Sequence, residues 1–322
     1  MRSPLTLLWL ILLVHSCYAQ QYLFARYTPK DGLINNRTRF LYQDSRGRIY
    51  ISTFGGLSVY DGSRFVNYTT DNGLATSLVN DVLEMGDDSL WVVPNGAALH
   101  CLVHGIFKDI HTADGFYPVI NQLLRGSDGT LYAISDNGLF RFEQNRFVRI
   151  PLTDPQGRAQ EGAIAQAVEV DHRLLLLTDP WTGAFPGPGS LIIYDLQKHR
   201  LTAMVKGPDY LFLLKSAGDS IFTATATGLR LLDPEAFRRD TIRCLHLPAP
   251  WRAADGVACR YAYFDRRHDL WLSIEQRLIR IDATTGTAQN FTTANGLPPG
   301  ITAGILHDRE DNIWFANDRN GI

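Results

Sequence analysis

A short phrase recurs seven times along this 322-residue chain and limits its fold more than any other feature. Each copy has a turn rich in Asp, Gly or Asn, one apolar residue, and then an aromatic or apolar residue that opens a short β-type run. Seven anchor residues hold this last position: Tyr50, Trp91, Tyr132, Leu176, Phe222, Trp271 and Trp314. Their spacings are 41, 41, 44, 46, 49 and 43 residues, which is the period of a propeller blade.

The first copy indicates how one repeat folds. It divides into four short runs: Thr38–Tyr42, Ile49–Thr53, Leu57–Tyr60 and Phe65–Tyr68. Turn residues such as Asp61-Gly62 separate these runs, which are too short for the apolar patterning of helical repeats. The sequence therefore predicts an all-β propeller of about seven four-stranded antiparallel blades within residues 21–322.

The ends of the repeat region predict an incomplete last blade. The seventh copy reaches Ile322 where its third strand is expected to begin. Residues 22–27 precede Asp31-Gly32-Leu33 just as a fourth strand precedes Asn72-Gly73-Leu74. We therefore expect this segment to close the ring against the seventh blade, because closure removes an open sheet edge.

The first 20 residues have the pattern of a secretory signal peptide. Arg2 is followed by an apolar run, Leu5–Val14, and by a small residue, Ala19, at a suitable cleavage position. Lipid attachment at Cys17 is the alternative. No other segment has the roughly 18 apolar residues of a membrane helix, so the signal-peptide pattern predicts that the rest of the chain is exported. Cys244 and Cys259 are read as buried free thiols or as a disulfide.

Composition and motifs exclude several functional classes. The 31 Lys plus Arg and 33 Asp plus Glu give a net charge of -2 without a charged block, which argues against nucleic-acid binding. Nucleophile elbows and phosphate-binding loops are not found. His100 and His104 lie in a strand-like run and are expected to be exposed rather than metal ligands. We therefore predict no catalytic residues, metal or cofactor.

Irregular loops are the best candidates for ligand binding, because a repeated position usually serves the scaffold. One enlarged loop, Thr178–Gly189, carries two aromatic residues on a Pro- and Gly-rich segment. Pro248–Arg252 lies in the longest connection between blades, and short loops on the same face add further side chains. The candidate ligand contacts are Trp181, Phe185, Trp251, Arg252, Phe54, Asn95, Asn137 and Arg319. Ordinary packed surface loops are the alternative.

The repeat resembles a known family. The residues that carry the likeness are Asp31-Gly32-Leu33, Asp44, Gly47, Ile49-Tyr50-Ile51, Gly56-Leu57, Tyr60-Asp61-Gly62, Phe65, Tyr68-Thr69 and Asn72-Gly73-Leu74. Near the end, Asn295-Gly296-Leu297, Asp311–Phe315 and Asn320-Gly321-Ile322 match again. This pattern is similar to the two-component regulator propeller repeat.

The resemblance implies a periplasmic sensor of a two-component system. In that family the propellers precede a membrane helix and a cytoplasmic histidine kinase, so a membrane anchor and kinase are expected in a longer parent protein. It also implies a homodimer formed through that parent. The two aromatic residues of the enlarged loop suit a carbohydrate or other small-molecule signal.

Two other functional classes stay open. One is a secreted propeller enzyme, a polysaccharide lyase or glycosidase, and the other is a non-catalytic dimerisation scaffold.

Overall fold

Antiparallel sheets follow one another along the chain. The structure, a computed structural model, describes residues 24–86, 89–153, 159–160, 162–178, 189–206, 210–216, 218–225 and 227–322. Within them lie six four-stranded sheets, each with its strands in chain order. The prediction of an all-β propeller is confirmed for six blades of four antiparallel strands each.

The six blades have the following strands. Blades 1 to 3 contain β1 (Thr38–Gln43), β2 (Ile49–Thr53), β3 (Gly56–Tyr60), β4 (Phe65–Tyr68); β5 (Val79–Gly86), β6 (Ser89–Pro94), β7 (His100–Val103), β8 (Ile106–Asp109); and β9 (Ile120–Arg125), β10 (Leu131–Ser135), β11 (Gly138–Glu143), β12 (Arg146–Arg149). Blades 4 to 6 contain β15 (Ile164–Val170), β16 (Arg173–Thr178), β17 (Leu191–Asp195), β18 (Arg200–Val205); β19 (Tyr210–Lys215), β20 (Ile221–Thr225), β21 (Gly228–Leu232), β22 (Cys244–Leu245); and β23 (Tyr261–Phe264), β24 (Leu270–Ile274), β25 (Arg277–Ile281), β26 (Ala288–Phe291).

Two smaller sheets and a few helical turns complete the described elements. The sheets are β13 (Leu152–Thr153) with β14 (Ala159–Gln160), and β27 (Thr302–His307) with β28 (Ile313–Asn317). Helix α1 spans Pro234–Arg238, and 3-10 turns span Pro29–Asp31, Thr70–Asn72, Trp251–Ala254 and Thr293–Asn295. No helix in the described residues is long and apolar enough to cross a membrane.

The recurring phrase has a physical cause in the contact between its turn and its anchor. The seven anchor residues lie in the second strands of their sheets. In four of these sheets, the hydroxyl or indole N–H of the anchor donates to a turn aspartate: Tyr50 to Asp44 (3.2 Å), Tyr132 to Asp128 (3.1 Å), Trp271 to Asp265 (2.8 Å) and Trp314 to Asp308 (2.6 Å). The ring can therefore be buried while its polar atom stays paired.

Hydrophobic cores lie between neighbouring sheets. Seven clusters are present, and each draws its side chains from two successive sheets, including the pair formed by β27–β28 and blade 1. Between blades 3 and 4, for example, Tyr132 and Leu139 pack with Leu174 and Ile192. The first strands contact one another in a closed ring that includes β27, so this sheet completes the circle around the axis.

Side chains also join successive sheets on the face that carries the turns after the first strands. In four of these turns, a backbone N–H donates a hydrogen bond to a side chain near the end of the first strand of the following sheet. The donors and acceptors are Ser45 to Glu84 (2.9 Å), Ser127 to Glu169 (2.8 Å), Arg266 to His307 (3.0 Å) and Arg309 to Gln43 (2.9 Å). The last of these links β27–β28 to blade 1. We call these four contacts the turn clasps.

The N-terminal segment lies beside β28. Residues 22 and 23 of the predicted closing strand are outside the described residues. Tyr27 exchanges two backbone hydrogen bonds with Ile322, of 2.8 and 3.1 Å, as Tyr68 pairs with Leu57 in blade 1. A cavity of about 780 Å³ is bounded by Ile313–Phe315 of β28 and by Phe24.

The cysteines of the described residues form no disulfide. Cys101, Cys244 and Cys259 carry free thiols, and Cys259 is buried. Burial raises the pKa of the Cys259 thiol to about 12, so this group stays protonated. Of the two alternatives for Cys244 and Cys259, the structure has the free thiols. The predicted signal peptide and Cys17 lie outside the described residues.

Two glycines of blade 1 allow a matched test of the ladder between the third and fourth strands. Gly56 has φ +139°, and a Cβ there would lie 2.1 Å from the Tyr68 carbonyl oxygen. Gly62 also has positive φ, +97°, but its Cβ would meet nothing within 4 Å. We expect Gly62→Ala to cost about 1–2 kcal/mol, the penalty for positive φ, and Gly56→Ala to cost clearly more. Urea denaturation measures both, and equal losses would contradict the clash.

Asp265 and Trp271 allow a test of the anchor contact. Asp265→Ala leaves the buried indole N–H of Trp271 without its acceptor, so we expect a loss of about 1–3 kcal/mol of stability. The same change should cost less in a Trp271→Phe background, because that donor is already gone. Thermal and urea denaturation of the four proteins of this cycle measure the coupling. Additive losses would show that the hydrogen bond contributes nothing.

Candidate functional site

One face of the propeller collects the loops predicted to bind ligand. The first strands begin, and the second strands end, at this face, since Thr38 pairs with Thr53. Loops between second and third strands and the connections between blades therefore share it. Phe54, Asn95 and Asn137 lie in the former loops, and Arg319 follows the second strand β28. Trp251 and Arg252 lie in the connection before blade 6. Trp181 and Phe185 lie outside the described residues.

A β-bulge recurs where the first strands reach this face. Register shifts leave one residue of the first strand unpaired in blades 1 to 5 and in β27–β28. The bulged residues are Arg39, Asn80, Asn121, Ala165, Leu211 and Ala303, and Arg260 holds the corresponding place before β23. We call these seven residues the bulge ring. Because the first strands surround the axis, this ring lies around the mouth of the axial channel, and each bulge changes the direction of its side chain there.

One side of the bulge ring contains a small cavity. Its volume is about 310 Å³, within the range of small-ligand sites. The lining residues are Arg39, Phe40, Val79, Asn80, Arg260, Ile301, Thr302 and Ala303. We call this space the mouth cavity. Its wall combines two cations, an amide and apolar side chains, a composition typical of a site for a small polar molecule.

Phe54 borders the basic side of the channel mouth. The ring is 39% exposed, with the guanidinium carbon of Arg37 at 3.9 Å and that of Arg39 at 6.0 Å from its centroid. A backbone hydrogen bond of 3.0 Å from Phe54 to the Arg37 carbonyl fixes the loop against the first strand. The stacked guanidinium therefore holds a defined position, although sequence reasoning did not include Arg37 or Arg39.

Asn80 connects the mouth cavity to another predicted residue. Its side-chain amide donates to the Ile120 carbonyl at 2.9 Å and lies 3.4 Å from the Asn95 side-chain oxygen. Asn95 thus contacts a residue that lines the cavity but does not line the cavity itself. Asn121 repeats the arrangement in the next blade, donating to the Ile164 carbonyl at 3.0 Å and to Asp136 at 2.7 Å.

The remaining predicted residues are not brought together. Asn137 lies in a separate open depression, of about 750 Å³, with Phe116 and Arg149. Trp251 packs in the core between blades 5 and 6, with its ring centroid 5.7 Å from that of Phe222 and 5.0 Å from that of Phe264. Arg252 and Arg319 are exposed near the face. Of the predicted residues that the structure describes, Phe54 lies beside Arg39 and Asn95 beside Asn80, and both of these partners line the mouth cavity.

Below the mouth, polar side chains join the first strands across the channel wall. Asp81 accepts from the Leu123 amide (2.8 Å), Gln122 from Ala167 (2.9 Å) and Gln166 from Leu213 (2.8 Å). These residues occupy the same strand position in blades 2, 3 and 4. Enclosure by the ring raises the pKa of the Asp81 carboxyl to about 7, because desolvation outweighs its hydrogen bonds with Leu123 and Val82.

One histidine prediction is wrong. His100 lies in a strand, β7, but it is buried rather than exposed, with Nδ1 3.1 Å from a carboxylate oxygen of Asp109. Its ring also packs edge-on against Phe107, at 5.6 Å between centroids. Desolvation lowers the pKa of His100, which favours its neutral form. Among the described residues, no three His, Cys, Asp or Glu side chains are grouped as a metal site would require.

The sequence also matches a known family over its first repeat. Residues 32–55 match the family model described as two component regulator propeller. The chain carries a two component regulator propeller repeat. The sequence resemblance is thereby confirmed for this repeat, which runs from the turn before β1 to the loop of Phe54. A comparison with curated proteins gives no match.

Solved structures show where similar propellers occur. The extracellular domain of a protein described as a hybrid two component system from B. thetaiotaomicron has 17% identity and a TM-score of 0.73, covering 93% of this chain and 41% of that one. That of a one component system from the same organism has 13% identity and a TM-score of 0.65, covering 92% and 42%. This chain thus spans less than half of either protein.

A propeller enzyme has a similar fold. Catalytically inactive virginiamycin B lyase from Staphylococcus aureus, in complex with quinupristin, has 14% identity and a TM-score of 0.60, covering 92% of this chain and 95% of that one. At such identities, all three likenesses establish the fold alone.

Asp81 gives this site a pH dependence that can be measured. A carboxyl whose pKa is raised in the folded state stabilises the fold fully below the unfolded value near 4, and loses this contribution as pH rises through about 7. We expect Asp81→Asn to remove about 1–2 kcal/mol of this pH dependence, or roughly 2–6 °C in the Tm difference between pH 5 and pH 8. Asp114→Asn, on an exposed turn, is the control, and identical pH profiles for Asp81→Asn and wild type would refute the shift.

Proposed function

We propose that this chain is the sensor propeller of a two-component regulatory protein, that it works in the periplasm, and that it binds a signal at the face carrying the mouth cavity. The observation that carries the proposal is the two component regulator propeller repeat at residues 32–55. The similar fold of extracellular domains from B. thetaiotaomicron supports it. Export would follow from the signal-peptide pattern of residues 1–20.

The proposal includes the parts of the signalling path that a longer parent protein would supply. The β27–β28 sheet is taken as a seventh blade whose outer strand is the N-terminal segment. A rigid ring suits a sensor, because a bound ligand can change how one propeller contacts a second copy without unfolding any blade. Relay to a membrane-anchored histidine kinase through a homodimer completes the proposed path.

The alternative is a secreted propeller enzyme. One observation favours it: virginiamycin B lyase has a similar fold over 95% of its own chain, so a ring of this size can be a complete enzyme. The two functions differ in what happens to the bound molecule. A sensor releases its ligand unchanged, whereas a lyase or glycosidase releases a product of different mass.

The test combines binding with product analysis. The purified chain is incubated with a panel of oligosaccharides and small metabolites, and thermal shift measures binding, because a ligand that binds the folded state raises Tm. Mass spectrometry then examines each ligand that binds. We expect the recovered ligand to be unchanged, and a new product mass would replace the sensor proposal with the enzyme.

The relay is tested in cells of the source organism. RNA sequencing compares cells with and without the gene, in the presence and absence of the ligand found by thermal shift. We expect a set of transcripts that responds to the ligand only when the gene is present. A response that does not need the gene would overturn the proposed signalling role.

A further inference from the structure

The bulge ring places two arginines around one small residue. Arg39 of blade 1 and Arg260 before β23 flank Ala303 of β27, and all three line the mouth cavity. We propose that the mouth cavity binds a small oxyanion, a carboxylate, sulfate or phosphate group, between the guanidinium groups of Arg39 and Arg260. This inference rests on the proposed function in one respect, since it gives the chemical class of the signal.

The two cations lack a protein counter-ion. Within the described residues, neither Arg39 nor Arg260 forms a salt bridge. Several other blade arginines do form such pairs, as in Arg48–Asp44 (2.7 Å), Arg173–Asp240 (3.0 Å) and Arg280–Asp269 (2.5 Å). Desolvation lowers the pKa of Arg39 from its usual value, although the group stays charged at neutral pH. Both arginines are exposed at the wall of the cavity, where an anion can reach them.

The neighbouring carboxyl groups do not act as counter-ions of Arg39 and Arg260. The side-chain oxygen of Asp318 accepts the Ile301 amide at 2.8 Å, and its other oxygen lies 3.7 Å from the guanidinium of Arg319. Asp81 follows Asn80 on β5, where it accepts the Leu123 amide. Its raised pKa, about 7, reduces the negative charge that it would present to an anion near neutral pH.

The rest of the wall suits a compact polar group. Ala303 fills little of the space between the two arginines, whereas a long side chain at this position would occupy it. Phe40, Val79 and Ile301 form apolar walls. Partial exclusion of water strengthens the attraction between guanidinium and oxyanion, and planar guanidinium groups pair well with oxygen-rich anions. A volume near 310 Å³ admits one small ring with its acidic group.

The first experiment uses isosteric probes on the purified chain. Benzoate and benzamide have nearly the same shape but differ in charge, and sulfate represents a free inorganic anion. Thermal shift and isothermal titration are run at constant ionic strength set with sodium chloride. We expect benzoate, sulfate or both to bind, and benzamide not to bind. Binding of benzoate alone indicates that the site takes the carboxylate of an organic ligand, whereas binding of sulfate alone indicates that it takes an inorganic anion. Equal binding of benzoate and benzamide would overturn the proposal.

Variants then assign the site. Arg39→Gln and Arg260→Gln should each weaken anion binding at least tenfold, while Arg146→Gln, an exposed arginine on β12, should leave it unchanged. The Tm of each variant without ligand checks its folding. Anion binding that survives in both cavity variants, or no binding of any anion to the wild type, refutes the mouth cavity as the site.

The cellular experiment separates this inference from the proposed function. If a ligand controls transcripts through the gene but binds without Arg39 and Arg260, the sensor stands and the oxyanion site fails. If anions bind through these arginines but no transcript depends on the gene, the site stands and the sensor proposal fails.

Discussion

In the described part of the chain, neighbouring blades share no backbone ladder, and this constraint determines how the ring is held together. Each described ladder lies within one sheet, so contacts between sheets depend mainly on side chains. The apolar clusters supply most of the attraction, but they do not fix the height of one blade against the next. The turn clasps, such as Ser45 to Glu84, and the channel bonds, such as Gln122 to Ala167, are directional and can set that height.

Much of this scaffold is predictable because each part of the repeat signals the same structure locally. In blade 1, the predicted strands Ile49–Thr53 and Phe65–Tyr68 agree with the observed bounds, since short apolar runs and glycine turns act over a few residues. The anchor aromatics pack in the cores between sheets. Their hydrogen bonds to turn aspartates, such as Trp271 to Asp265, explain why an aspartate accompanies the ring in these repeats.

The candidate site was much less predictable, for a different physical reason. The predicted contacts lie in loops that depart from the repeat, yet the mouth cavity is formed by residues inside the repeat, at the bulge of the first strand. Arg39 and Arg260 are more than 200 positions apart in the sequence, and only closure of the ring brings them to one cavity. An alignment of the starts of the first strands would have shown that these two arginines occupy equivalent positions. Burial of His100 was missed because alternation alone does not say which face of a strand meets the next blade.

The bulge ring combines a backbone bulge that recurs from sheet to sheet with side chains that differ between sheets. Its backbone irregularity recurs from sheet to sheet, because each first strand must bend as it reaches the channel mouth. Its side chains differ in charge and size, from arginine in blade 1 to leucine in blade 5. A change there alters the channel mouth while the ladders and inter-blade cores stay the same. A repeated bulge therefore provides positions at which a propeller of fixed geometry can acquire a new binding preference, and the unpaired arginines lie at two of them.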